Sequence, residues 1–266
     1  MNQNAVYELS DDMFEKLSDS EKNNEFIAVQ SKTYFQDAWA HFKKNKLALV
    51  SLCFLLVMVA LAILVPLLSP YTYDGQDLTL RNDPPSLSHP LGTDKFGRDI
   101  FVRLMYGARI SLSVGFAAAF INLFLGVVYG GVCGYFGGKL DMVLMRIADI
   151  IYSIPSMLYV IMVMLIFGSN IFSVLLALSV SGWIGMARQV RTQVMSLKER
   201  EYAQAARVMG ASHRRILFKH LITNSIGPII VNTTLMVPQA IFTEAFLAFV
   251  GIGISIPQSS WGTMAN

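Results

Sequence analysis

Long apolar runs without a charged residue dominate the chain. Five such runs lie at 47–73, 110–138, 150–187, 220–243 and 245–266, and together they hold 140 of the 266 residues. About 20 apolar residues cross the roughly 30 Å hydrocarbon core of a bilayer as a helix, and each run is longer than that. The pattern therefore predicts an all-α membrane protein, a polytopic helical bundle.

The lengths of these runs and the breaks within them predict five spans. The run 150–187 would extend about 57 Å as one helix, nearly twice the core, so we expect it to fold back at residues 168–170. The last run is interrupted by Gly251, Gly253 and Pro257 and is too irregular to form a span. The predicted spans are about 47–68, 110–136, 141–167, 171–186 and 225–249.

Three glycines in the second predicted span recur at intervals of four. Gly126, Gly130 and Gly134 would line one side of a helix. A face made of such small residues lets a neighbouring backbone approach closely, so this spacing predicts helix packing without direct chemistry.

The polar segment before the first span predicts two regions. Residues 1–30 have the composition of a disordered tail, which we expect in the cytoplasm. Residues 31–46 place Trp39 and Phe42 at helical spacing just before Lys43 and Lys44, which is typical of an amphipathic helix lying in the membrane interface.

Composition and charge narrow the function classes. Charged residues make up 15% of the chain, against about 25% in soluble domains, so a soluble enzyme is excluded. Both cysteines lie in apolar runs and are expected to be free thiols, and the four histidines are far apart, which predicts no metal site and no catalytic residue. The chain has no GxxxxGK[ST] phosphate-binding loop, so we expect no ATP hydrolysis on it.

Basic residues predict the orientation in the membrane. Eight Lys and Arg residues, against two acids, lie between the fourth and fifth predicted spans, and three lysines lie at 43, 44 and 46. Lys and Arg near span ends favour the cytoplasm. Four spans separate the two groups, so both fit one orientation, in a bacterial cell membrane with a cytoplasmic N-terminus.

Residues 194–222, which we call the basic loop, have the pattern of two helices. The first, about 197–209, is followed by Gly210, a residue that commonly ends a helix in the left-handed conformation. Ser212 would cap the second. Residues expected to pack are Leu197, Ala205, Val208 and Met209 in the first helix, and Ile216, Leu217 and Leu221 in the second. Such a projecting helix and turn would fit a groove in a cytoplasmic partner.

The segment from Glu201 to Gly210, with the sequence EYAQAARVMG, resembles the EAA loop of permease subunits in binding-protein-dependent ABC importers. In that family the loop forms the coupling helix that docks into the ATPase subunit. The resemblance implies an ATPase-coupling set of Glu201, Gln204, Ala205, Ala206, Gly210 and Ser212. Gln204 stands where the motif has its glutamate, and Thr223 stands where a proline is usual.

Two further segments resemble the C-type permease subunits of oligopeptide, dipeptide and nickel importers. They are 89–99, with the sequence HPLGTDKFGRD, and 244–253, with the sequence EAFLAFVGIG, which Trp261 and Gly262 follow. The resemblance implies the type I importer permease fold and the import of peptides, which we expect to be oligopeptides. It also implies a second homologous permease subunit, an extracytoplasmic substrate-binding protein, and two ATPase subunits that hold ATP and magnesium.

Permeases of this family have a sixth span after the Trp-Gly segment, whereas the sequence here provides five. We therefore expect the sequence to be truncated before its last helix. An intact mass of 29.5 kDa for the native protein would contradict this expectation.

Polar residues within or beside the spans are candidates for the pathway or for contacts with the binding protein. They are Glu244, Asn122, Asp94, Arg98 and Asp99. Alternatives remain open: an exposed boundary position for Glu244, an interhelical hydrogen bond for Asn122, and a self-contained turn for the other three. Arg146 and Asp149 are three residues apart, which predicts an ion pair at the interface.

Three other functions compete with peptide import. One is an ABC importer of nickel or another small solute, although no His, Cys or carboxylate cluster lies in any span. Another is an ion-coupled secondary transporter, for which repeated halves and midplane acids would be expected. The third is a membrane-anchored sensor, which would need a soluble module.

Overall fold

The structure is a computed structural model that describes residues 33–254 and 259–265. The predicted tail at 1–30 lies outside these described residues. Within them the regular structure is helical, and β-pairing is limited to an isolated bridge between Thr93 and Asp99. By internal contacts the chain divides into two units, 1–54 and 55–266.

The first unit contains helix α1, Tyr34–Lys44, and the beginning of α2, Lys46–Leu68. A capping box starts α1: the backbone N–H of Gln36 donates to Thr33 Oγ1 (3.4 Å), and the Thr33 N–H donates to Gln36 Oε1 (3.1 Å). The rings of Trp39 and Phe42 stack with centroids 5.6 Å apart, as expected for one face of an amphipathic helix. Its position in the membrane interface stays a prediction.

The second unit holds the remaining helices. They are α3, Ile100–Phe136; α4, Gly138–Ser153; α5, Ser156–Phe167; α6, Ile171–Ser181; α7, Trp183–Leu197; α8, Glu201–Val208; α9, Ile226–Phe249; and α10, Trp261–Met264. A helical turn, His213–Arg215, leads into a π-helix, Ile216–Ile222. By length and composition α2, α3, the continuous stretch of α6 and α7, and α9 can each cross a membrane, and the bent pair α4–α5 can provide a fifth span.

Three spans differ from their predicted form. The second span was expected to begin at 110, but α3 begins at Ile100. The stretch 141–167 was expected as one helix but is broken between α4 and α5, which meet at 79°. Pro155 has no N–H and disfavours helical dihedrals at the preceding residue, so Ile154 is extended (φ −78°, ψ 126°). The fourth span was expected to end at 186, but α7 continues to Leu197.

Helix α3 is the centre of the second unit, and its glycine face packs against α7. A Cβ added to Gly126, Gly130 or Gly134 would lie 2.5 Å from Met186 Cβ, 2.1 Å from Ala187 O or 2.6 Å from Arg191 O. The close backbone approach predicted from the glycine spacing is therefore confirmed. The contacts advance together along both helices, so α3 and α7 run parallel.

Helix α9 packs on α3 in the opposite direction. A Cβ at Gly115 would lie 2.8 Å from Ile241 Cγ1, whereas Ser111, one turn earlier on α3, meets Glu244, one turn later on α9. Three separate apolar cores lie along this framework in the described part of the chain. One joins Tyr135, Val190 and Val194 to the basic loop, and another gathers around Val114, Val174 and Leu247. The third contains Ala148, Trp183, Ile184 and Ala187.

Candidate functional sites

The basic loop is anchored to the helical bundle by small side chains. Ala203 and Ala206 on α8 are buried in one apolar cluster with Tyr135 and Val190 of the bundle. The same cluster contains Ile216, Leu217 and Leu221, which form the buried face predicted for the second helix. Alanine lets the α8 backbone lie close to this surface, so the loop is held as part of the bundle's core. Helix α8 begins at Glu201, four residues later than predicted.

The end of α8 presents two apolar side chains to the outside. Val208 and Met209 are 88% and 79% exposed. Gly210 follows with φ +79°, and the hydrogen bonds Gly210 N–Arg207 O and Ala211 N–Ala206 O, both 3.0 Å, close the turn. The prediction that Ala205, Val208 and Met209 pack inward is wrong, because the later start of α8 turns Ala203 and Ala206 inward instead.

The predicted coupling residues lie together along this stretch. Glu201, Gln204, Ala205, Gly210 and Ser212 are exposed, whereas Ala206 is buried. The Gln204 side chain donates to the Glu199 carbonyl (3.0 Å), and Ser212 Oγ accepts from the Arg215 N–H (3.4 Å), as its predicted capping role requires. The surface around the tip also carries exposed positive charge, from Arg207, Arg214, Arg215 and Lys219.

Polar contacts tie the loop and α7 to the ends of α3 and α4. Tyr135 Oη lies 2.7 Å from His213 Nδ1, and Lys198 Nζ donates to the Gly134 carbonyl (3.2 Å). Arg191 makes two hydrogen bonds with Asp141, each 2.5 Å. A bidentate pair fixes orientation as well as distance, so it holds α7 against α4, while Lys198 and His213 hold the basic loop to the end of α3.

The predicted pairing of Asp149 with Arg146 is wrong. Asp149 accepts from Arg188 on α7 (2.8 Å) instead. Spacing within one helix indicated the i, i+3 partner, but α7 lies alongside α4 and offers a guanidinium across the helix interface. Sequence reasoning also missed Tyr135 and His213, which are 78 residues apart and share no local pattern.

The N-terminal part of α3, the C-terminal part of α9 and helix α10 enclose Glu244. We call this region the glutamate end. Glu244 is fully buried, so the alternative of an exposed boundary position is wrong. Its Oε2 accepts from Ser111 Oγ (3.0 Å) and its Oε1 from Ser260 Oγ (2.6 Å). Ser111 Oγ in turn accepts from the Trp261 N–H (3.1 Å), so one carboxyl group links three helices. A lone acid in an apolar run signals buried partners, but the sequence did not identify the two serines.

The loop before α3 holds the other three candidates in contacts of its own. Asp99 Oδ1 accepts from the Val102 N–H (2.7 Å), and Oδ2 lies 2.7 Å from His89 Nδ1. Arg98 Nε donates to Asp94 Oδ2 (2.8 Å). Partial burial raises the pKa of Asp94, but hydrogen bonds from Arg98 and from the backbone of Phe96 outweigh it and hold that pKa below its ordinary value. These contacts fit the self-contained turn, and a role toward a binding protein stays a prediction.

Asn122 lies between the two ends, on α3. It is 6% exposed, its Nδ2 lies 3.5 Å from the Leu178 carbonyl, and its Oδ1 has no partner among the described residues. It also lines a cavity of about 730 Å³ between α3, α5, α6 and α9. The interhelical hydrogen bond that was one alternative for Asn122 is therefore present only at the limit of hydrogen-bond length.

Comparisons with known proteins give one family over most of the chain. Residues 122–266 match the binding-protein-dependent transport system inner membrane component, and residues 33–85 match the N-terminal TM domain of oligopeptide transport permease C. The dipeptide transport system permease protein DppC of Bacillus subtilis is 50% identical over 248 residues, which cover 92% of this chain and 78% of that protein.

Two further relatives are oligopeptide transport system permease proteins OppC. The Bacillus subtilis protein is 45% identical, with 96% of this chain and 83% of that protein covered. The Escherichia coli K12 protein is 40% identical, with 92% and 82% covered. Among solved structures, the inward-facing MetNI methionine ABC transporter aligns with a TM-score of 0.48 at 22% identity, over 56% of this chain and 74% of that one.

Proposed function

This chain belongs to the family of inner membrane components of binding-protein-dependent transport systems, and from that premise we propose how it serves peptide import. Relatives that are 40–50% identical over more than nine-tenths of the chain are named as dipeptide and oligopeptide permeases. The chain is accordingly a multi-pass permease subunit of an ABC peptide importer, a transport component and not an enzyme. We assign oligopeptides as its cargo.

The family implies ATPase and substrate-binding partners, and we assign their arrangement as follows. This subunit pairs with a second, homologous permease, two ATPase subunits bind the pair from the cytoplasm, and the binding protein docks from outside. ATP and magnesium are held by the ATPase subunits. The basic loop and the lysines at the end of α1 and the start of α2 lie on the cytoplasmic side, which gives a cytoplasmic N-terminus.

The exposed apolar tip of α8 supports docking to the ATPase. Val208 and Met209 are among the exposed apolar residues of a helix whose inner face is buried. Apolar anchors that fill a partner's pocket, with a rim of charges around them, are the usual energetic centre of an interface. Arg207, Arg214 and Arg215 would form such a rim.

The contacts behind the tip support transmission of the ATPase movement into the membrane. Closure of the ATPase pair would push α8, whose buried alanines bear on the π-helix, and Arg191 and Lys198 would carry the displacement to α4 and α3. Alternating access then follows as a rigid-body change of the bundle between inward-open and outward-open states.

The test of this assignment uses two variants of Gly210. Gly210→Trp and Gly210→Ala place a side chain at the same left-handed position and share its backbone strain, but only Trp adds bulk to an open surface. Affinity capture of the ATPase subunits from membranes should be lost with Trp and retained with Ala, while both permeases insert in the membrane. Uptake of labelled peptides of graded length, in cells with and without the gene, identifies the cargo. Uptake that survives removal of the ATPases would overturn the proposal.

A further inference from the structure

The cavity that Asn122 lines, which we call the Asn122 cavity, has a mixed and uncharged wall. Its polar residues are Asn122, Ser156, Tyr159, Ser181, Gln239 and Thr243, and the rest of the lining is apolar or glycine. A volume of about 730 Å³ lies within the range of small-molecule sites, roughly 300–1,000 Å³. The wall can thus hydrogen-bond a neutral polar ligand without selecting for either charge.

One helix break lies at this cavity. Ser156 and Met157 follow the break at Pro155, where no side chain caps the first turn of α5. Ser181 and Gly182 also line the cavity, where α6 continues into α7 with helical dihedrals at Gly182 (φ −62°, ψ −28°). Within a membrane, interrupted helices are tolerated where they are buried in protein or line a cavity, and discontinuous helices commonly form the substrate sites of transporters. The interruption at Pro155 therefore has a place beside a polar ligand.

The Asn122 side chain gives a second, independent indication that the cavity holds a polar ligand. Its buried Oδ1 lacks a partner among the described residues, and an unpaired buried polar atom costs about 1–3 kcal/mol. Gly182 makes room for it, because a Cβ there would lie 2.5 Å from Asn122 Nδ2. At 1.5 Å per residue, Asn122 is about 17 Å along α3 from Ser111 and about 20 Å from Tyr135, so it lies midway between the two ends.

We propose that the Asn122 cavity holds a stretch of peptide backbone during passage, with a peptide N–H donating to the Asn122 side chain. This inference rests on the proposed function and specifies where that cargo is held. Tyr159 and Ser181 bond each other and Thr243 donates to the Gln239 carbonyl, but an acyl chain would leave the Asn122 Oδ1 without a partner. A metal ion would find no carboxylate, thiolate or imidazole in the lining. A peptide backbone, by contrast, offers one donor and one acceptor per residue between side chains of any kind.

The first experiment measures protection of a thiol in the cavity. The native cysteines Cys53 and Cys133 are replaced by alanine, and Thr243→Cys is introduced in the full importer, with its binding protein, in proteoliposomes. Thr234→Cys on the same helix, exposed and outside the cavity lining, is the matched control. During turnover, trialanine should slow labelling by a small thiol reagent at least fivefold at Thr243→Cys and leave Thr234→Cys unchanged. Gln239→Cys replaces Thr243→Cys if that variant fails to assemble.

The second experiment tests the hydrogen bond itself. Asn122→Leu in the Thr243→Cys background should raise the trialanine concentration for half-protection about tenfold, as expected for one buried hydrogen bond. Each amide of trialanine is N-methylated in turn to find the one that meets Asn122. Methylation of that amide should raise the concentration for half-protection by the same factor in the Thr243→Cys protein, and should cause no further rise when Asn122→Leu is also present. A purely structural role of Asn122 would not produce this coupling.

The outcomes separate this inference from the proposed function. If the complex imports trialanine but neither cavity thiol is protected, or Thr234→Cys is slowed equally, the cavity assignment is overturned while peptide import stands. If protection is seen but Asn122→Leu and N-methylation act additively, the hydrogen bond is overturned. If the complex takes up no peptide of any length, both proposals fail together.

Discussion

The two ends of the helical bundle treat their polar and apolar groups in opposite ways. At the basic-loop end, two large apolar side chains and several arginines are exposed, while the residues that fix the loop are small and buried. At the glutamate end, a carboxyl group and two serine hydroxyls are fully buried and bond one another across three helices. The basic-loop end exposes its large apolar and charged side chains, whereas the glutamate end buries its polar side chains.

This difference indicates different tasks. An exposed apolar tip is costly alone and becomes favourable when a partner covers it. A buried carboxyl group satisfied by its own chain adds nothing to a surface, but it fixes the relative positions of the helices that supply its partners. We therefore expect changes at the glutamate end to lower the stability of the subunit, and changes at the basic-loop tip to lower its affinity for the ATPase.

The largest effect is expected for Glu244→Leu. Leucine leaves the hydroxyls of Ser111 and Ser260 buried without their acceptor, at about 1–3 kcal/mol each. We expect the free energy of unfolding in detergent to fall by about 3 kcal/mol. Glu244→Gln keeps an acceptor oxygen, and its amide can donate to a serine oxygen, so it should cost about 1 kcal/mol. Equal stability of Glu244→Leu and the wild type would remove the distinction between the ends.

A smaller effect, on binding, is expected for Val208→Asp and Met209→Asp. Both side chains are exposed in the isolated subunit, so its stability should change by less than about 0.5 kcal/mol. Loss of an apolar anchor costs about 2 kcal/mol, which corresponds to roughly a thirtyfold higher Kd for the ATPase. Titration of the purified ATPase onto permease in nanodiscs measures this.

Leu87→Asp is the control from the other end of the bundle. Leu87 is fully exposed in the loop before α3, so the substitution makes the same chemical change on the surface of the glutamate end. It should leave the Kd for the ATPase unchanged. If all three aspartates weaken ATPase binding alike, general surface charge and not the tip of α8 is responsible.

The next prediction compares two glycine-to-alanine substitutions that should change the free energy of unfolding in opposite directions. Gly210→Ala forces a Cβ into the left-handed region at φ +79° and should lower the free energy of unfolding by about 1 kcal/mol. Gly185→Ala is made in a helix where the added Cβ meets nothing within 4 Å, and should raise it by up to about 1 kcal/mol. Paired thermal unfolding curves provide the test. A destabilisation by both would mean that Gly185 has a packing role not visible in one subunit.

The sequence predicted the parts of this comparison that depend on local pattern. Charge-free runs located the apolar helices, the spacing of Gly126, Gly130 and Gly134 predicted the close contact with α7, and Gly210 and Ser212 lie at the turn and cap expected of them. These features depend on helical periodicity and on backbone conformation, and both are determined by residues close together in the sequence.

The parts that the sequence did not predict depend on distant residues or on partners. Ser111 is 133 residues from Glu244, so no spacing rule pairs them. Asp149 has a basic residue three positions away, Arg146, and another on α7, and only the packing of the helices selects Arg188. Val208 and Met209 were expected to pack because they are apolar, but both are exposed in this subunit, and no pattern in one chain says which apolar residues a partner would cover.

The smallest effect concerns pH at the glutamate end, where Asp94 belongs to the loop before α3. Its pKa is lowered in the folded protein, so the folded state binds this proton less tightly than the unfolded chain does. The stability that Asp94 contributes is therefore present above the ordinary value of about 3.9 and is lost as the pH falls through the folded value. Between pH 6 and pH 3, the free energy of unfolding should fall more steeply for the wild type than for Asp94→Asn, and Arg98→Gln, which removes the main hydrogen-bond donor to Asp94, should reduce the slope in the same direction. Identical slopes for the three proteins would show that the Asp94 carboxylate does not stabilise this loop, and the internal hydrogen bonding of the glutamate end would then reside in Glu244 and its two serines.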